Sequence, residues 1–344
     1  MKTIPEIQSQ TIRSILVSRL RFMGDVVLSL PAVHALRKAF PDSQIVYLAE
    51  APYHALLENH PDIDAVLMLD TKSGRLPWNL FSKLRHFRFD LAVDLFGNPR
   101  SALLTWLSGA GIRIGGDFRG RKFAYTCRIR DDRSPKNAIR FHLGYLKPLG
   151  IRADVSEPRL FMTKDEREDA SGFLVRKGLD PEGLLIGMHP GASWPAKRWL
   201  PKRFGLLADD LVERRNAQVL FTEGPGETGL VDRIIAGCSR RMARTGVLPL
   251  RMLTAVLSHC DLFVSNDCGP MHLAPAVGTR TVGLFGPGEP EIWFPYDPRK
   301  GHRFVHPDIS CSRCRRDFCD SMECMKAITV EEVYNAVSSS LNPR

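Results

Sequence analysis

The chain is 344 residues long, with 44% hydrophobic and 25% charged side chains, which excludes a disordered or fibrous protein and exceeds the roughly 100 to 200 residues of one domain. Lys plus Arg number 48 against 38 Asp plus Glu, a formal charge of +10 that favours anionic partners: phosphorylated substrates, nucleic acid or an acidic membrane surface. The opening stretch "MKTIPEIQSQTIRSILVSRL" has no long apolar segment, and no run of about 18 apolar residues occurs anywhere, so neither a secretion signal nor a membrane span is expected and the expected location is the cytoplasm.

Along the chain, short β-branched apolar runs alternate with segments whose apolar residues recur at helical spacing, the pattern of βαβ units and a parallel sheet. The first half offers strands at "SILVSRL", "QIVYLAE", "AVLMLD", "FDLAVDLF" and "GIRIGG", with helical segments at "PAVHALRKAF", "YHALLENH" and "WNLFSKLRHF" between them. A charged stretch from Asp131 to Asp169, containing "DDRSPKN", "SEPRL" and "TKDERED", interrupts the alternation and is expected to be a linker or boundary. The second half resumes with "LLIGMHPGA", "FGLLADDLVERR", "AQVLFTEG", "LVDRIIAGC", "LRMLTAVLSHC", "DLFVSND", "PMHLAPAVG" and "TRTVGLFGP". The fold class predicted is α/β, two Rossmann-like doubly wound domains over residues 1–165 and 166–328. Their carboxyl-terminal strand ends are expected to face a central cleft, since open α/β sheets bind ligands at those ends.

Four strand-to-helix turns carry polar residues. In "SRLRFMGDVVLSLPAVHAL", Arg19 follows the strand and Asp25 stands at a helix start, where it serves as a cap, as a catalytic carboxylate, or as both. In "HPGASWPAKRW", small residues and Ser193 precede Lys197; backbone N–H groups, a helix start and an ammonium suit a phosphate or diphosphate, the alternative being a Pro-Gly turn with solvated bases. Neither a Walker loop nor a G-x-G-x-x-G fingerprint is present. "TEGPGETGL" places Glu227 at the next turn, where a carboxylate grips ribose hydroxyls or simply opens a helix. "VSNDCGPMHLAPAVG" brings Asp267, Cys268, Gly269 and His272 together at the end of a buried strand.

The eight cysteines divide into scattered Cys127, Cys238, Cys260 and Cys268 and a cluster of Cys311, Cys314, Cys319 and Cys324. Four thiolates suffice for a tetrahedral zinc shell. The second pair lacks C-x2-C spacing, so reduced, partly buried thiols are favoured over a metal or a disulfide framework.

Taken together and in order, "MGDVVLSLPAVHALRKAFP", "HPGASWPAKRWLPKRFGLLADDL", "GPGE" and "VSNDCGPMHLAPAVGTRTVGLFGP" resemble glycosyltransferase family 9, the ADP-heptose:lipopolysaccharide heptosyltransferases, from about Ile15 to Val333. The resemblance implies a GT-B fold with an acceptor-binding N-terminal domain and a nucleotide-sugar-binding C-terminal domain. A terminal helix over 329–344 is expected to pack back on the N-terminal domain. The family's general base falls on Asp25, its diphosphate-binding lysine on Lys197, its ribose-binding glutamate on Glu227, and its D-[ST]-G-x-x-H motif on Asp267, Gly269 and His272. Cys268 departs from the family's hydroxyl residue; a thiol donates more weakly, so a backbone contact is expected there. The cysteine-bearing tail also looks like the family's.

The activity implied is an inverting transfer of heptose from ADP-L-glycero-D-manno-heptose to a sugar hydroxyl of the lipopolysaccharide inner core. Asp25 would take the hydroxyl proton, while Lys197 and backbone N–H groups at Ser193 and Gly269 stabilise the departing diphosphate. No cofactor and no metal are expected. The basic run of Arg113, Arg119, Arg121, Lys122, Arg128, Arg130 and Arg133 is either a solvated face or a surface for a phosphorylated acceptor and an anionic membrane. Arg19, Arg119, Arg121 and Lys122 are the acceptor-binding candidates, and a peripheral place on the inner membrane's cytoplasmic face follows from them. Two alternatives stand beside this reading: a family member using another nucleotide sugar or acceptor, and a non-catalytic basic module that binds nucleic acid or membrane. Nucleic acid is not an expected partner of the heptose transferase.

Overall fold

The computed structural model describes residues 12–70, 78–130, 134 and 136–342. Contacts divide the chain into two units, Met1–Phe161 and Met162–Arg344, four residues earlier than the boundary expected after residue 165.

The first unit runs β1 (Ser14–Ser18), α1 (Met23–Ala39), β2 (Gln44–Glu50), β3 (Ala65–Leu69), α2 (Trp78–His86), β4 (Leu91–Asp94), α3 (Pro99–Leu107), β5 (Ile112–Gly116), β6 (Cys127–Ile129) and α4 (Ala138–Gly144). Its sheet has the order β3-β2-β1-β4-β5-β6. The pairings are parallel, with Ile15 beside Ile45 on one flank and Leu91 on the other. A parallel sheet is covered on both faces, which is why β1 is buried at every position and reads as an unbroken apolar run. Helix α1 covers one face with Val26, Val27, Leu30 and Val33. On the other face Leu80, Leu84 and Leu104 close over Leu16, Val46 and Leu48. Helix α3 starts where Asn98 and Ser101 cap each other, Ser101 N–H donating to Asn98 Oδ1 at 2.7 Å.

The second unit runs α5 (Lys164–Arg176), β7 (Leu185–His189), α6 (Pro201–Arg215), β8 (Gln218–Glu223), α7 (Thr228–Ala236), β9 (Ala243–Val247), α8 (Leu250–Leu257), β10 (Leu262–Asn266), α9 (Pro270–Ala276), β11 (Arg280–Leu284), β12 (Arg303–Val305) and α10 (Val330–Leu341), with short turns of helix elsewhere. Its sheet order is β12-β11-β10-β7-β8-β9. One core joins Ile186, Met188 and Val264 to Trp199, Phe204 and Leu211 of the α6 region and Val333 and Val337 of α10. The other face holds Leu174, Leu185, Leu220 and Val256.

The charged stretch 131–169 holds the boundary between the units, and its end is helical: "TKDE" is a capping box, with Thr163 N–H donating to Glu166 at 2.8 Å and Glu166 N–H donating back to Thr163 at 3.2 Å, and it opens α5. Helix α10 packs within the second unit, against α6, β11 and β12. Its residues Val333, Tyr334 and Val337 face that unit's core, and burial of this apolar stripe holds it there.

In both sheets the order reverses beside the first strand of the unit, β1 lying between β2 and β4 and β7 between β8 and β10. The crevice beyond the carboxyl ends at such a reversal is where doubly wound sheets bind ligands. It selects residues 18–25 and 94–97 in the first unit, and 189–197 and 266–272 in the second.

Candidate functional site

At the reversal in the first unit, Asp25 is the third residue of α1 and accepts the Phe22 N–H at 3.3 Å, so it caps its own helix. Its other oxygen pairs with the Arg19 guanidinium. Arg19 also donates to the Leu95 carbonyl at 3.1 Å and lies 4.6 Å from the centre of the Phe96 ring. A guanidinium with three fixed neighbours is a rigid wall behind Asp25, whose carboxylate stays partly exposed. Behind both sits Asp94, fully buried. It accepts hydroxyls from Ser18 at 3.2 Å, Ser101 at 2.8 Å and Tyr125 at 2.6 Å, and the N–H groups of Phe96 and Gly97 at 3.0 Å each. Five donors replace the water this carboxylate loses, so Asp94 is the anchor that shapes the turn after β4.

The basic run divides by function in the fold. Arg113 donates to the carbonyls of Ala110 at 2.6 Å and Ala124 at 2.7 Å, a structural role. Lys122, Arg128 and Arg130 converge on Asp117 at 3.5, 3.7 and 3.3 Å. Arg119 is exposed, and Arg121 lies 5.5 Å from the Phe118 ring centre. Arg133 lies outside the described residues. Two bases not singled out by sequence, Arg21 and Arg100, flank the buried Glu50 carboxylate at 3.9 and 3.6 Å.

At the reversal in the second unit the named residues come together. Lys197 Nζ lies 2.6 Å from Asp267 Oδ2 and 4.5 Å from the Trp194 ring centre. Burial raises the Asp267 carboxyl above its ordinary range while Lys197 pulls it down. Gly288 completes the cover, because a Cβ there would come within 2.2 Å of Asp267 Oδ2. Glu227 folds back to accept the Gly224 N–H at 2.7 Å, and its Oε2 lies 3.4 Å from Nε2 of His189, the last residue of β7. Gly191 permits this, since a Cβ at that position would fall 2.0 Å from Glu227 Oε1.

His272 is buried and its Nδ1 is 2.8 Å from the Tyr296 hydroxyl. Burial, with Lys197 acting in the same direction, pushes its pKa down to about 3, so the ring is neutral. Cys268 Sγ lies 3.4 Å from Ser265 Oγ, and burial pushes the thiol up to about 12. Ser193 is exposed on the loop before Lys197. Gly269 precedes α9 with an ordinary right-handed φ of −54°, so the backbone does not demand glycine there.

Two supporting residues are not among those the sequence singles out. Asn266 donates to the carbonyls of Pro190 at 2.8 Å and Gly191 at 3.2 Å and accepts the Trp199 N–H at 3.0 Å. Tyr296 reaches His272 from 24 positions away. The first stands inside the quoted "VSNDCG" and could have been found there; the second carries no local signal. Of the cysteine cluster, Cys311 and Cys314 are exposed, Cys319 is half-buried and Cys324 is buried. Among the described residues no group of three or more His, Cys, Asp or Glu is placed to hold a metal ion. The segment instead braces the site, with the Asp317 carbonyl accepting the Ala196 N–H at 3.1 Å. No described helix is long and apolar enough to cross a membrane.

The family model described as "Glycosyltransferase family 9 (heptosyltransferase)" matches residues 77–325. The chain is 28% identical over 293 residues to lipopolysaccharide heptosyltransferase 3 of Escherichia coli, covering 80% of this chain and 84% of that protein. It superposes on the crystal structure of a glycosyl transferase family 9 protein from Veillonella parvula with a TM-score of 0.83 and 26% identity, over 96% of this chain and 97% of the other. ADP-heptose LPS heptosyltransferase II of E. coli shares the fold at a TM-score of 0.81 and 21% identity, over 96% and 98% of the two chains. The two parallel sheets and these likenesses place the chain in the GT-B fold class.

Proposed function

The chain belongs to glycosyltransferase family 9, the heptosyltransferases, and from that premise we propose that it moves a heptose from ADP-L-glycero-D-manno-heptose to a sugar hydroxyl of the lipopolysaccharide inner core, with inversion at the anomeric carbon. The observation that carries this reading is the second unit's strand reversal, where a lysine ammonium held 2.6 Å from a buried aspartate stands with a half-buried glutamate and a neutral histidine. That set suits a nucleoside diphosphate sugar: an ammonium and backbone N–H groups for the diphosphate, a carboxylate for a ribose diol, and a neutral imidazole for a sugar hydroxyl or phosphate oxygen.

In this reading Lys197, with backbone N–H groups at Ser193, Cys268 and Gly269, receives the negative charge that gathers on ADP as the anomeric C–O bond breaks. Glu227 accepts from the ribose, and Asp267 and His272 hold the heptose and diphosphate. Asp25 takes the proton from the acceptor hydroxyl as its oxygen forms the new bond; base assistance of this kind contributes about 10² to 10⁴ in rate. Arg19 fixes the Asp25 carboxylate, and Arg119, Arg121 and Lys122 meet an anionic acceptor. The acceptor's lipid gives the protein a peripheral place on the cytoplasmic face of the inner membrane.

Mass spectrometry of reactions between ADP-heptose and truncated lipopolysaccharide acceptors tests the whole reading, with a gain of one heptose expected. Thermal stabilisation by UDP or GDP and not by ADP, with no heptose transferred, would point to another nucleotide sugar and remove this donor assignment.

A further inference from the structure

His189 is buried at the carboxyl end of β7, inside the site, and has no part in the chemistry above. Its two ring nitrogens have different neighbours. Nδ1 is 3.0 Å from the hydroxyl of Thr222, the penultimate residue of β8, and Nε2 is 3.4 Å from Glu227 Oε2. We infer that His189 is a positioning residue for the donor: the facing carboxylate sets its tautomer, Thr222 seats its Nδ1, and its Nε2–H aims the Glu227 carboxylate at the vicinal diol of a nucleoside diphosphate. The inference rests on the donor reading proposed above.

Two acceptors repel one another, so a ring nitrogen that faces a carboxylate carries the proton. Placing it on Nε2 leaves Nδ1 as the acceptor in a neutral ring, and the Thr222 hydroxyl then donates to Nδ1, its nearer neighbour; the Met188 carbonyl is 3.4 Å from the same hydroxyl. Burial lowers the His189 pKa, against Glu227 and the Thr222 backbone and with Arg198 adding to it, so the neutral ring is the working form. At 3.4 Å the Nε2 contact is at the outer edge of hydrogen-bond range, and the imidazole acts on Glu227 chiefly through the N–H dipole directed at the carboxylate.

Two further features lock the arrangement. The Gly224 N–H holds the same carboxylate from the other side at 2.7 Å. Gly191, whose carbonyl accepts from Asn266 at 3.2 Å, leaves space for Oε1 that any Cβ would take. Oε2 is thus bound by protein donors, and Oε1 is the oxygen turned to a ligand hydroxyl. This division is what reading a diol by one carboxylate requires, because a carboxylate free to rotate would lose much of its preference between hydroxyl and hydrogen.

The test is selectivity between ADP and 2′,3′-dideoxy-ADP, measured by titration calorimetry on the full chain. The unaltered protein should prefer ADP by about tenfold or more, as expected for hydrogen bonds to a charged group. In His189→Ala that ratio should fall by about fivefold or more, through weaker ADP binding with dideoxy-ADP affinity little changed. Thr222→Val, nearly isosteric and mild for the fold, should lower the ratio in the same direction. General damage would weaken both nucleotides together and leave the ratio alone. Retention of the preference in either variant overturns the inference while the donor reading stands. Equal binding of the two nucleotides by the unaltered protein removes the ribose role of Glu227, and this inference falls with it.

Discussion

Lys197 Nζ lies 2.6 Å from Asp267 Oδ2, an ammonium 17% exposed against a carboxylate 5% exposed. A pair this buried is costly to break from one side, because the remaining charge has neither water nor partner. Lys197→Ala is therefore expected to weaken ADP binding by tenfold or more and also to lower the unfolding free energy by about 3 kcal/mol. Adding Asp267→Asn should restore much of the stability and none of the ADP affinity, which calorimetry and urea unfolding measure separately. Unchanged ADP affinity in Lys197→Ala would take the lysine out of the diphosphate site.

Asp25→Asn keeps an oxygen that accepts the Phe22 N–H, so the start of α1 should survive. ADP affinity should be nearly unchanged and turnover should drop at least about a hundredfold. Single-turnover kinetics with ADP-heptose separates the two, and an active variant would leave Asp25 as a helix cap only.

Gly191→Ala puts a Cβ within 2.0 Å of Glu227 Oε1. The carboxylate has to move, and overpacking of this kind costs about 1–3 kcal/mol. ADP affinity should fall with it, while Gly226→Ala, whose Cβ meets open space though its φ is +81°, should cost stability and leave ADP binding close to normal. Equal ADP affinities for the two variants would count against Glu227 as a nucleotide contact.

Each unit buries a neutral histidine. His142, with Nδ1 at 3.1 Å from the Leu28 carbonyl, and His272 are each pushed by burial from an ordinary 6.5 down to about 3. For a histidine lowered in the folded state, the unfolded chain binds the proton first. The stabilisation is full above pH 6.5 and is lost as pH falls from there toward 3, at about 1.4 kcal/mol per pH unit for each ring. Urea unfolding between pH 7 and 4 should show this decline, and His142→Gln with His272→Gln should flatten it. An equally steep profile in the double variant would mean other groups govern acid sensitivity.

The thiols should react in a fixed order. Hydrogen bonds from Ser321 and the Met322 N–H lower the Cys319 pKa, and Cys311 and Cys314 are exposed, whereas burial pushes Cys260 and Cys268 up to about 12. Mass-resolved alkylation of the native protein should modify the first three well before the last two. Cys268→Ser should retain activity, since a hydroxyl can keep the contact with Ser265; rapid labelling of Cys268 would contradict its raised pKa.

Much of the architecture was legible because parallel strands buried on both faces leave unbroken apolar runs: "QIVYLAE" matches β2 at both ends. Helix α5 was missed although Thr163 and Glu166 spell its start, because its charged residues outweigh its few buried ones, Ala170 and Leu174. Asp25, Lys197, Glu227 and Asp267 stood out because each follows a strand end. What escaped was contact between distant segments. Asp94 draws on Ser18, Ser101 and Tyr125, and Tyr296 reaches His272, pairs with no periodicity to betray them. The basic surplus also looked like one surface in the sequence, yet Arg113 is spent on backbone carbonyls, while Lys122, Arg128 and Arg130 converge on Asp117.

Asn266 fastens both carbonyls of the Pro190–Gly191 turn and the Trp199 N–H, and Trp199 is in turn held by the Ile328 carbonyl at 2.9 Å. The loop that carries Lys197 therefore gives up its conformational freedom when the chain folds, before any nucleotide arrives. Ordering a loop on binding subtracts directly from affinity, and here little of it is left to order. A diphosphate held as proposed would meet a rigid mould, so association should be fast and its entropy loss should come from the ligand far more than from the protein.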